Sequence, residues 1–276
     1  MTVKAFAPAK VNLTLHVTGQ RSDGYHLLDS LVVFLDIGDV ICANHAALLK
    51  LTVDGPEAIG LGPPDGNLVL RAARAFNSRE GASIRLTKNL PIASGLGGGS
   101  SDAAAAVRAL STLWNRPIPE HGTLLDLGAD VPVCVANHPQ RMRGIGERLS
   151  RVLDMPAMEL VLVNPRVPVS TPSVFRAVAR KDNPPMPEKL PKWRDLASLA
   201  AWLTTQRNDL LAAAVSHQPI ISDVLDSLRK TQCLFAGMSG SGATCFAIYP
   251  PDGKASDVAN VLGMRGWWAV NGTVLA

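Results

Sequence analysis

A run of glycines followed by hydroxyl and carboxyl side chains is the part of the sequence best suited to chemistry. Four glycines fall within residues 95–99, and two serines and an aspartate follow at residues 100–102, before an alanine-rich stretch. Glycine lets a ligand approach the backbone closely, and serine and aspartate are favoured where a helix begins. The free N–H groups and positive dipole end of a helix start bind phosphate. The sequence therefore predicts phosphate binding along residues 90–102.

Two common phosphate loops do not fit this run. A P-loop requires a lysine after its last glycine, and none follows here. The dinucleotide fingerprint fails because Ser100 occupies the third glycine position counted from Gly95. The alternative is a flexible hinge that merely begins a helix, but this many glycines before an alanine-rich helix favour phosphate. A side chain at Gly98 is then expected to stand where the backbone approaches phosphate.

Three other segments carry residues capable of chemistry, and each has a plain structural explanation when taken singly. Lys10 heads the first long strand, and by itself it is a solvated strand-end lysine. Asp130 follows a glycine turn and by itself is a turn or N-cap residue. Residues 237–242 form a second glycine turn, which is otherwise a hairpin loop. Their order along the chain, together with the phosphate loop, favours a catalytic set.

The composition limits the class of protein. A chain of 276 residues with 47% hydrophobic residues can bury one large or two ordinary cores, which excludes a disordered protein. The net charge of +4 is spread without a basic block, so we expect no nucleic-acid partner. Neither a signal peptide nor a bilayer-spanning apolar run is visible, so we expect no membrane association. The four separated cysteines fit reduced thiols of a cytoplasmic protein: Cys42, Cys134, Cys233 and Cys245.

Mixed strands and helices must position these residues. Alternation over residues 3–18 predicts a first strand, and residues 31–41 predict a second. Residues 83–87 alternate in the same way and lead into the phosphate loop, and the helix after it is expected to end near Trp114. Both halves mix strands and helices without a sustained βαβ alternation. That pattern predicts an α+β protein of two layers, in two domains that meet near residue 150.

Five segments in order along the chain share one further pattern. They are APAKVNL at residues 7–13, GQRSDGYH at 19–26, GGGSSDAA at 97–104, GIGE at 144–147 and NDL at 208–210. This set resembles the GHMP kinase superfamily, and within it the kinases whose acceptor is the cytidine diphosphate derivative of methylerythritol. The resemblance runs from residue 5 to about residue 250. One departure lies at residues 136–143, which lack an expected glycine pair, so the local loop shape there is open.

The resemblance implies a two-domain α+β fold, each domain a mixed or antiparallel sheet layered with helices. Residues 1–150 would form an N-terminal ATP-binding and catalytic domain similar to domain 2 of ribosomal protein S5. Residues 151–276 would form a C-terminal domain that completes the acceptor site.

The resemblance also implies roles for particular residues. ATP is the phosphoryl donor, with Mg²⁺ bridging its phosphate oxygens and either Ser100 or Ser101 as a candidate metal ligand. Asp130 takes the proton of the acceptor hydroxyl, and Lys10 favours the ionised form of Asp130 and orients that hydroxyl. Asn67 contacts the adenine, although an N-cap is an equal alternative. The phosphates bind along Pro91, Ile92, Ala93, Ser94, Gly95, Leu96, Gly97, Gly98, Gly99, Ser100 and Ser101.

The acceptor contacts are implied in the same way. Asn12 lies beside the acceptor because it shares a strand face with Lys10. Tyr25 stacks on the cytosine and His26 hydrogen-bonds to it, although both residues could simply pack at a hairpin end. Phe175 covers the other face of the base, with a role in the helix core as its alternative.

Two rival functions follow from the same residues. One is another GHMP small-molecule kinase, acting on mevalonate, homoserine or a sugar, and the segment Asp23-Gly24-Tyr25-His26 speaks against it. The other is a non-catalytic nucleotide-binding protein on this fold, which would not need both Lys10 and Asp130. We expect a cytoplasmic kinase of isoprenoid precursor synthesis that acts on a small molecule as a monomer or weak homodimer.

Overall fold

The computed structural model describes residues 2–62 and 66–276, and the chain divides into two compact units. Unit 1 comprises Met1–Lys10, Gly38–Ile92 and Gly97–Asn137, and unit 2 comprises Val11–Ile37, Ala93–Leu96 and His138–Ala276. Neither unit is one continuous stretch of sequence. The division at residue 150 predicted above concerns the roles of the two halves, and it stays a prediction.

The described elements alternate irregularly between strands and helices. The strands are β1 (Thr2–Asn12), β2 (His16–Gln20), β3 (His26–Ala46), β4 (Lys50–Asp54), β5 (Gly81–Thr87), β6 (Gln140–Gly144), β7 (Arg148–Arg151), β8 (Glu159–Asn164), β9 (Phe235–Met238), β10 (Cys245–Tyr249) and β11 (Trp268–Thr273). The helices are α1 (Leu68–Arg74), α2 (Gly98–Leu113), α3 (His121–Leu127), α4 (Val131–Ala136), α5 (Thr171–Ala177), α6 (Leu196–Leu203), α7 (Leu211–His217), α8 (Ile220–Arg229) and α9 (Lys254–Gly263).

Unit 1 is a mixed sheet layered with helices. Strand β4 runs parallel to β5, and β5 pairs antiparallel with the second half of β3. Alternation along β5 sends Ile84 and Leu86 into the core, where they join the alanine-rich side of α2. The predicted strand at residues 83–87 and the predicted end of the next helix are confirmed, since Trp114 is the C-cap of α2.

Unit 2 contains a four-stranded antiparallel sheet in the order β11-β8-β10-β9. Its core combines β8 and β10 with helices α5, α7, α8 and α9, so β10 is buried along its whole length. The first half of β3 also belongs to this unit and pairs antiparallel with β2 and β6. The two-domain α+β architecture, with one mixed and one antiparallel sheet, is therefore confirmed.

Four features differ from the sequence-based expectation. The strand predicted over residues 3–18 is interrupted after Asn12, because Leu13 N donates to Leu31 O at 2.8 Å and Leu15 N donates to Arg207 O at 2.9 Å. Helix α4 and strands β6 and β7 were not predicted. They contain six, five and four residues, too few for a periodic pattern to show.

In residues 2–62 and 66–276, none of the helices combines the length and the apolar character that crossing a bilayer requires.

Candidate active site

Lys10 and Asp130 form an ion pair within unit 1. Lys10 Nζ lies 2.6 Å from Asp130 Oδ2, and the lysine side chain is 4% exposed whereas the aspartate is 32% exposed. Asp130 occupies the N-cap position of α4, but its side chain makes no capping hydrogen bond. Its carboxylate is therefore held by the buried lysine while part of it still reaches solvent. The two residues predicted to be catalytic are in contact.

Helix α2 begins without a side-chain cap. Its N-cap is Gly97, in the left-handed conformation with φ 63°, and its first turn holds no acidic residue. The predicted helix-start residues Ser100 and Ser101 lie inside the helix instead, and Ser101 N donates to Gly97 O at 2.8 Å. The N–H groups of the first turn have no acceptor within the helix. This helix start has the donors and the dipole that phosphate binding requires.

The same helix start touches the ion pair. A Cβ built on Gly97 would lie 3.1 Å from Lys10 Cε and 3.3 Å from Lys10 Cβ. The stem of Lys10 therefore runs along the bare backbone of Gly97. Unit 1 thus brings together the free N–H groups at the start of α2, the buried ammonium of Lys10 and the carboxylate of Asp130.

The two serines of this turn have different surroundings. The Ser101 hydroxyl is fully buried and donates to Pro8 O at 2.7 Å. Ser100 is half-buried. Of the two candidate metal ligands, Ser100 is the more exposed residue.

A buried charge cluster, absent from the sequence-based prediction, lies beneath this turn. Lys88 Nζ donates to Asp39 Oδ2 and, at 2.8 Å, to Asp102 Oδ2. Asp39 Oδ1 accepts the backbone N–H groups of Asn89 and Leu90 at 2.5 and 2.9 Å. Burial raises the pKa of Asp102 to about 8, against the opposing effect of Lys88. The cluster ties the chain that leads into the loop to the first turns of α2.

Gly98 faces this cluster. A Cβ there would lie 3.4 Å from Lys88 Nζ and 3.9 Å from Asp39 Oδ2. A Cβ at Gly98 would therefore point toward this cluster, and the expectation that it stands where the backbone approaches phosphate stays a prediction.

Asn67 is the N-cap of α1, and its Oδ1 accepts Val69 N at 2.9 Å. The capping alternative is thus realised, and the adenine contact stays a prediction.

Residues 93–96 of the glycine loop belong to unit 2, where the second glycine turn holds them. Ser239 Oγ donates to Gly95 O at 2.8 Å and accepts Asn12 N at 3.1 Å. Thr244 N donates to Ser94 O at 3.1 Å. The turn at residues 237–242 is therefore more than a hairpin loop, since it contacts both the glycine loop and the strand that carries Asn12.

Asn208 organises that second turn, a role the sequence did not indicate beyond the NDL segment. Its Nδ2 donates to Met238 O at 2.8 Å and to Gly240 O at 2.9 Å. Asn12 is also fixed from the side, because its Nδ2 donates to Ser30 Oγ at 2.7 Å. Asn12 is 2% exposed, and its Oδ1 is buried with no hydrogen-bond partner in residues 2–62 and 66–276.

His26 and Phe175, predicted from distant parts of the sequence, lie ring to ring in unit 2. Their centroids are 5.0 Å apart with the planes tilted by 36°. Burial, assisted by the charge of Lys181, lowers the pKa of His26, so the ring is neutral at pH 7. Its Nε2 is buried and lacks a hydrogen-bond partner among the residues that the structure describes. Tyr25, the neighbouring residue, is 58% exposed.

Comparison with known proteins places these features in a family. Residues 67–140 match the family of GHMP kinases N terminal domains, and residues 187–265 match the GHMP kinases C terminal family. A protein from Ruegeria pomeroyi named 4-diphosphocytidyl-2-C-methyl-D-erythritol kinase is 57% identical over 279 residues, covering 100% of each chain. Its namesake from Cereibacter sphaeroides is 53% identical over 269 residues, covering 96% of each chain.

Solved structures agree with this assignment. A crystal structure of 4-(cytidine 5'-diphospho)-2C-methyl-D-erythritol kinase has a TM-score of 0.79 and 32% identity over 99% of each chain. A homoserine kinase from Cytophaga hutchinsonii has a TM-score of 0.65 at 17% identity, over 100% of this chain and 95% of that one, which shows a shared fold alone. The chain is therefore a small-molecule kinase of the GHMP superfamily and belongs to its 4-diphosphocytidyl-2-C-methyl-D-erythritol kinase family.

Proposed function

We propose that this kinase transfers the γ-phosphoryl group of ATP to the 2-hydroxyl of 4-diphosphocytidyl-2-C-methyl-D-erythritol, in the methylerythritol phosphate route to isoprenoid precursors. The observation that carries the proposal is the Lys10–Asp130 ion pair against the uncapped start of α2. The acceptor is inferred from the names of the relatives, and the proposed chemistry is inferred from the ion pair.

Phosphoryl transfer depends mainly on positioning and on neutralising charge. The first-turn N–H groups of α2 would receive the phosphates of ATP, with the rest of residues 91–101 shaping the loop. Asn67 is proposed at the adenine. The positive end of a 16-residue helix adds a favourable field at the same point.

Asp130 is proposed as the general base. As the acceptor oxygen bonds to the γ-phosphorus, its proton passes to the Asp130 carboxylate and the bond to the leaving ADP breaks. The partial exposure of Asp130 leaves it reachable, while the buried Lys10 fixes its orientation. The Lys10 ammonium would in turn donate a hydrogen bond to the acceptor hydroxyl and so orient it.

Mg²⁺ is proposed as the companion of ATP. Among the described residues no group of three or more His, Cys, Asp or Glu side chains could hold a metal ion. That fits Mg²⁺, which is usually bound by substrate phosphates and waters with few protein ligands. We propose that the Ser100 hydroxyl would help to hold Mg²⁺. The ion would neutralise negative charge on the phosphates.

The acceptor is proposed to bind through unit 2 residues. The unpartnered Nε2 of the neutral His26 suits a hydrogen bond to cytosine, and the exposed ring of Tyr25 suits stacking. Phe175 would define the far side of that pocket, since it already packs on His26. The unpartnered Oδ1 of Asn12 suits a hydroxyl of the acceptor. In this division the first 150 residues carry ATP and the base, and residues 151–276 complete the acceptor site.

We also propose a cytoplasmic protein acting as a monomer or weak homodimer. The four cysteines are free thiols, as expected in a reducing compartment.

A turnover assay tests the proposal. ADP release is measured with ATP, Mg²⁺ and the cytidine diphosphate acceptor, and in parallel with mevalonate, homoserine or galactose. We expect rapid turnover with the cytidine compound alone. Equal rates with another acceptor would refute the substrate, and ATP binding without turnover of any acceptor would favour a nucleotide-binding protein.

A further inference from the structure

One edge of β1 is held by side chains of α2. Carbonyls along a strand alternate between its two edges. Ala7 O faces Gly38, where a Cβ would come within 2.1 Å of it. The carbonyls of Phe6 and Pro8 therefore face the opposite edge, and Pro8 has no N–H to continue a ladder there. Arg108 Nη2 donates to Phe6 O at 2.7 Å, in addition to the Ser101 contact with Pro8 O described above.

Arg108 also holds the last turn of α4. Its Nη1 donates to Cys134 O at 2.9 Å and lies 3.5 Å from Val135 O. A helix of six residues is too short to be stable alone, and its final carbonyls lack partners inside the helix. A guanidinium satisfies several carbonyls at once and is favoured at the negative end of a helix. Arg108 is half-buried, and burial lowers the pKa of its guanidinium.

We infer that Arg108 is a positioning residue for the Lys10–Asp130 pair. β1 carries Lys10 four residues after Phe6, and Asp130 is the N-cap of α4, four residues before Cys134. The two elements are thus tied twice, by the ion pair at one end and by the guanidinium at the other. This inference rests on the proposed function, in which that pair performs the chemistry.

The two connections between β1 and α4 restrict the movement of one element relative to the other. Packing holds the buried side of α4, where Val131 and Val133 are fully buried, but without Arg108 its last turn loses its hydrogen-bonded connection to β1. The helix can then shift within its packing, and Asp130 at its N-terminus shifts relative to β1. With Arg108 in place, the strand and the helix keep one relative geometry. Misplacing a reacting group by about 1 Å can cost about 100-fold in rate, so a tie remote from the chemistry affects turnover more than binding.

The test compares Arg108→Gln and Arg108→Lys with a matched control, Arg71→Gln. Arg71 Nη2 likewise donates to a short-helix carbonyl in unit 1, Asp126 O in α3, at 3.0 Å. Kinetics are measured well below each variant's melting temperature. We expect Arg108→Gln to lower kcat by about 10- to 100-fold while the KM for ATP changes by less than about threefold. The kcat of Arg108→Lys should lie between those of Arg108→Gln and the wild type. Arg71→Gln should keep kcat within about twofold of the wild-type value.

Chemical rescue separates positioning from a general loss of stability. Guanidinium ion added to Arg108→Ala should restore part of kcat in a saturable way, whereas it should only destabilise Arg71→Ala. A folded Arg108→Gln enzyme with wild-type kcat would overturn the inference, as would losses that only follow the unfolded fraction. If Arg108→Gln does not fold, Arg108→Lys and the rescue experiment decide by the same criteria.

The Asp130→Asn variant distinguishes a failure of the role inferred for Arg108 from a failure of the proposed function. An inactive Asp130→Asn enzyme beside a fully active Arg108→Gln enzyme would remove the role of Arg108 and leave the proposed function standing. An active Asp130→Asn enzyme would remove the proposed base itself.

Discussion

Replacing Gly97 by alanine should damage catalysis from a position that has no reactive group. Gly97 has φ 63°, a conformation that costs an L-residue about 1–2 kcal/mol. The new Cβ would also lie 3.1, 3.3 and 3.4 Å from three carbons of the Lys10 side chain. The two shorter distances are closer than an ordinary van der Waals approach, and the third is at its lower limit.

The Lys10 side chain cannot easily move away from the new Cβ. Its Nζ is anchored on Asp130 at 2.6 Å and its side chain is 4% exposed, so the stem must leave its preferred rotamer. An off-rotamer side chain costs about 0.5–1.5 kcal/mol. The sum is about 1.5–3.5 kcal/mol, which lowers the melting temperature of a protein of this size by about 3–14 °C. A shift of Lys10 by a few tenths of an ångström should lower kcat by about tenfold.

Thermal unfolding and steady-state kinetics on the purified variant provide the measurement. The control is Gly122→Ala in α3 of the same unit, where nothing lies within 4 Å of the new Cβ. That change should leave kcat intact and alter stability by less than about 1 kcal/mol, in the favourable direction. If Gly97→Ala keeps the wild-type kcat and melting temperature, the contact between the helix start and Lys10 is not a constraint, and the reasoning fails.

Three further variants test other parts of the site. Asp130→Asn should lower turnover by about 10²–10⁴-fold with ATP affinity little changed, and near-normal turnover would exclude Asp130 as the base. Tyr25→Ala should raise the KM for the cytidine acceptor by about tenfold and spare the KM for ATP, because base stacking is worth about 1–3 kcal/mol; equal effects on both substrates would contradict stacking. For Asp102, whose pKa burial raises to about 8, the stabilising protonated form is lost as pH rises. The free energy of unfolding should therefore fall between about pH 4 and pH 8 in the wild type and less in Asp102→Asn, as urea titrations would show, and parallel pH profiles would refute this.

The sequence determined the local features of the site. The glycine run and the alanine-rich stretch after it are consecutive in the chain, so a helix that follows a glycine loop could be predicted from the residues alone. The serines were expected to cap that helix, but it begins earlier with Gly97 as its N-cap, and phosphate binding there stays a prediction. Lys10 and Asp130 gained their roles from the order of motifs, and the structure brings them into contact. The strand and helix on either side of the loop were also predicted correctly, because their periodicity is long enough to recognise.

Tertiary structure alone decided how these features are supported. Lys88, Asp39 and Asp102 are far apart in the chain, and no local pattern marks them as one buried cluster. The direction of a Cβ at Gly98, toward Lys88 and Asp39, depends on what packs beneath the helix. Helix α4 is six residues long, and Arg108 of another helix satisfies its final carbonyls. Propensity acts over neighbouring residues, whereas burial and hydrogen-bond satisfaction depend on residues that only the fold brings together.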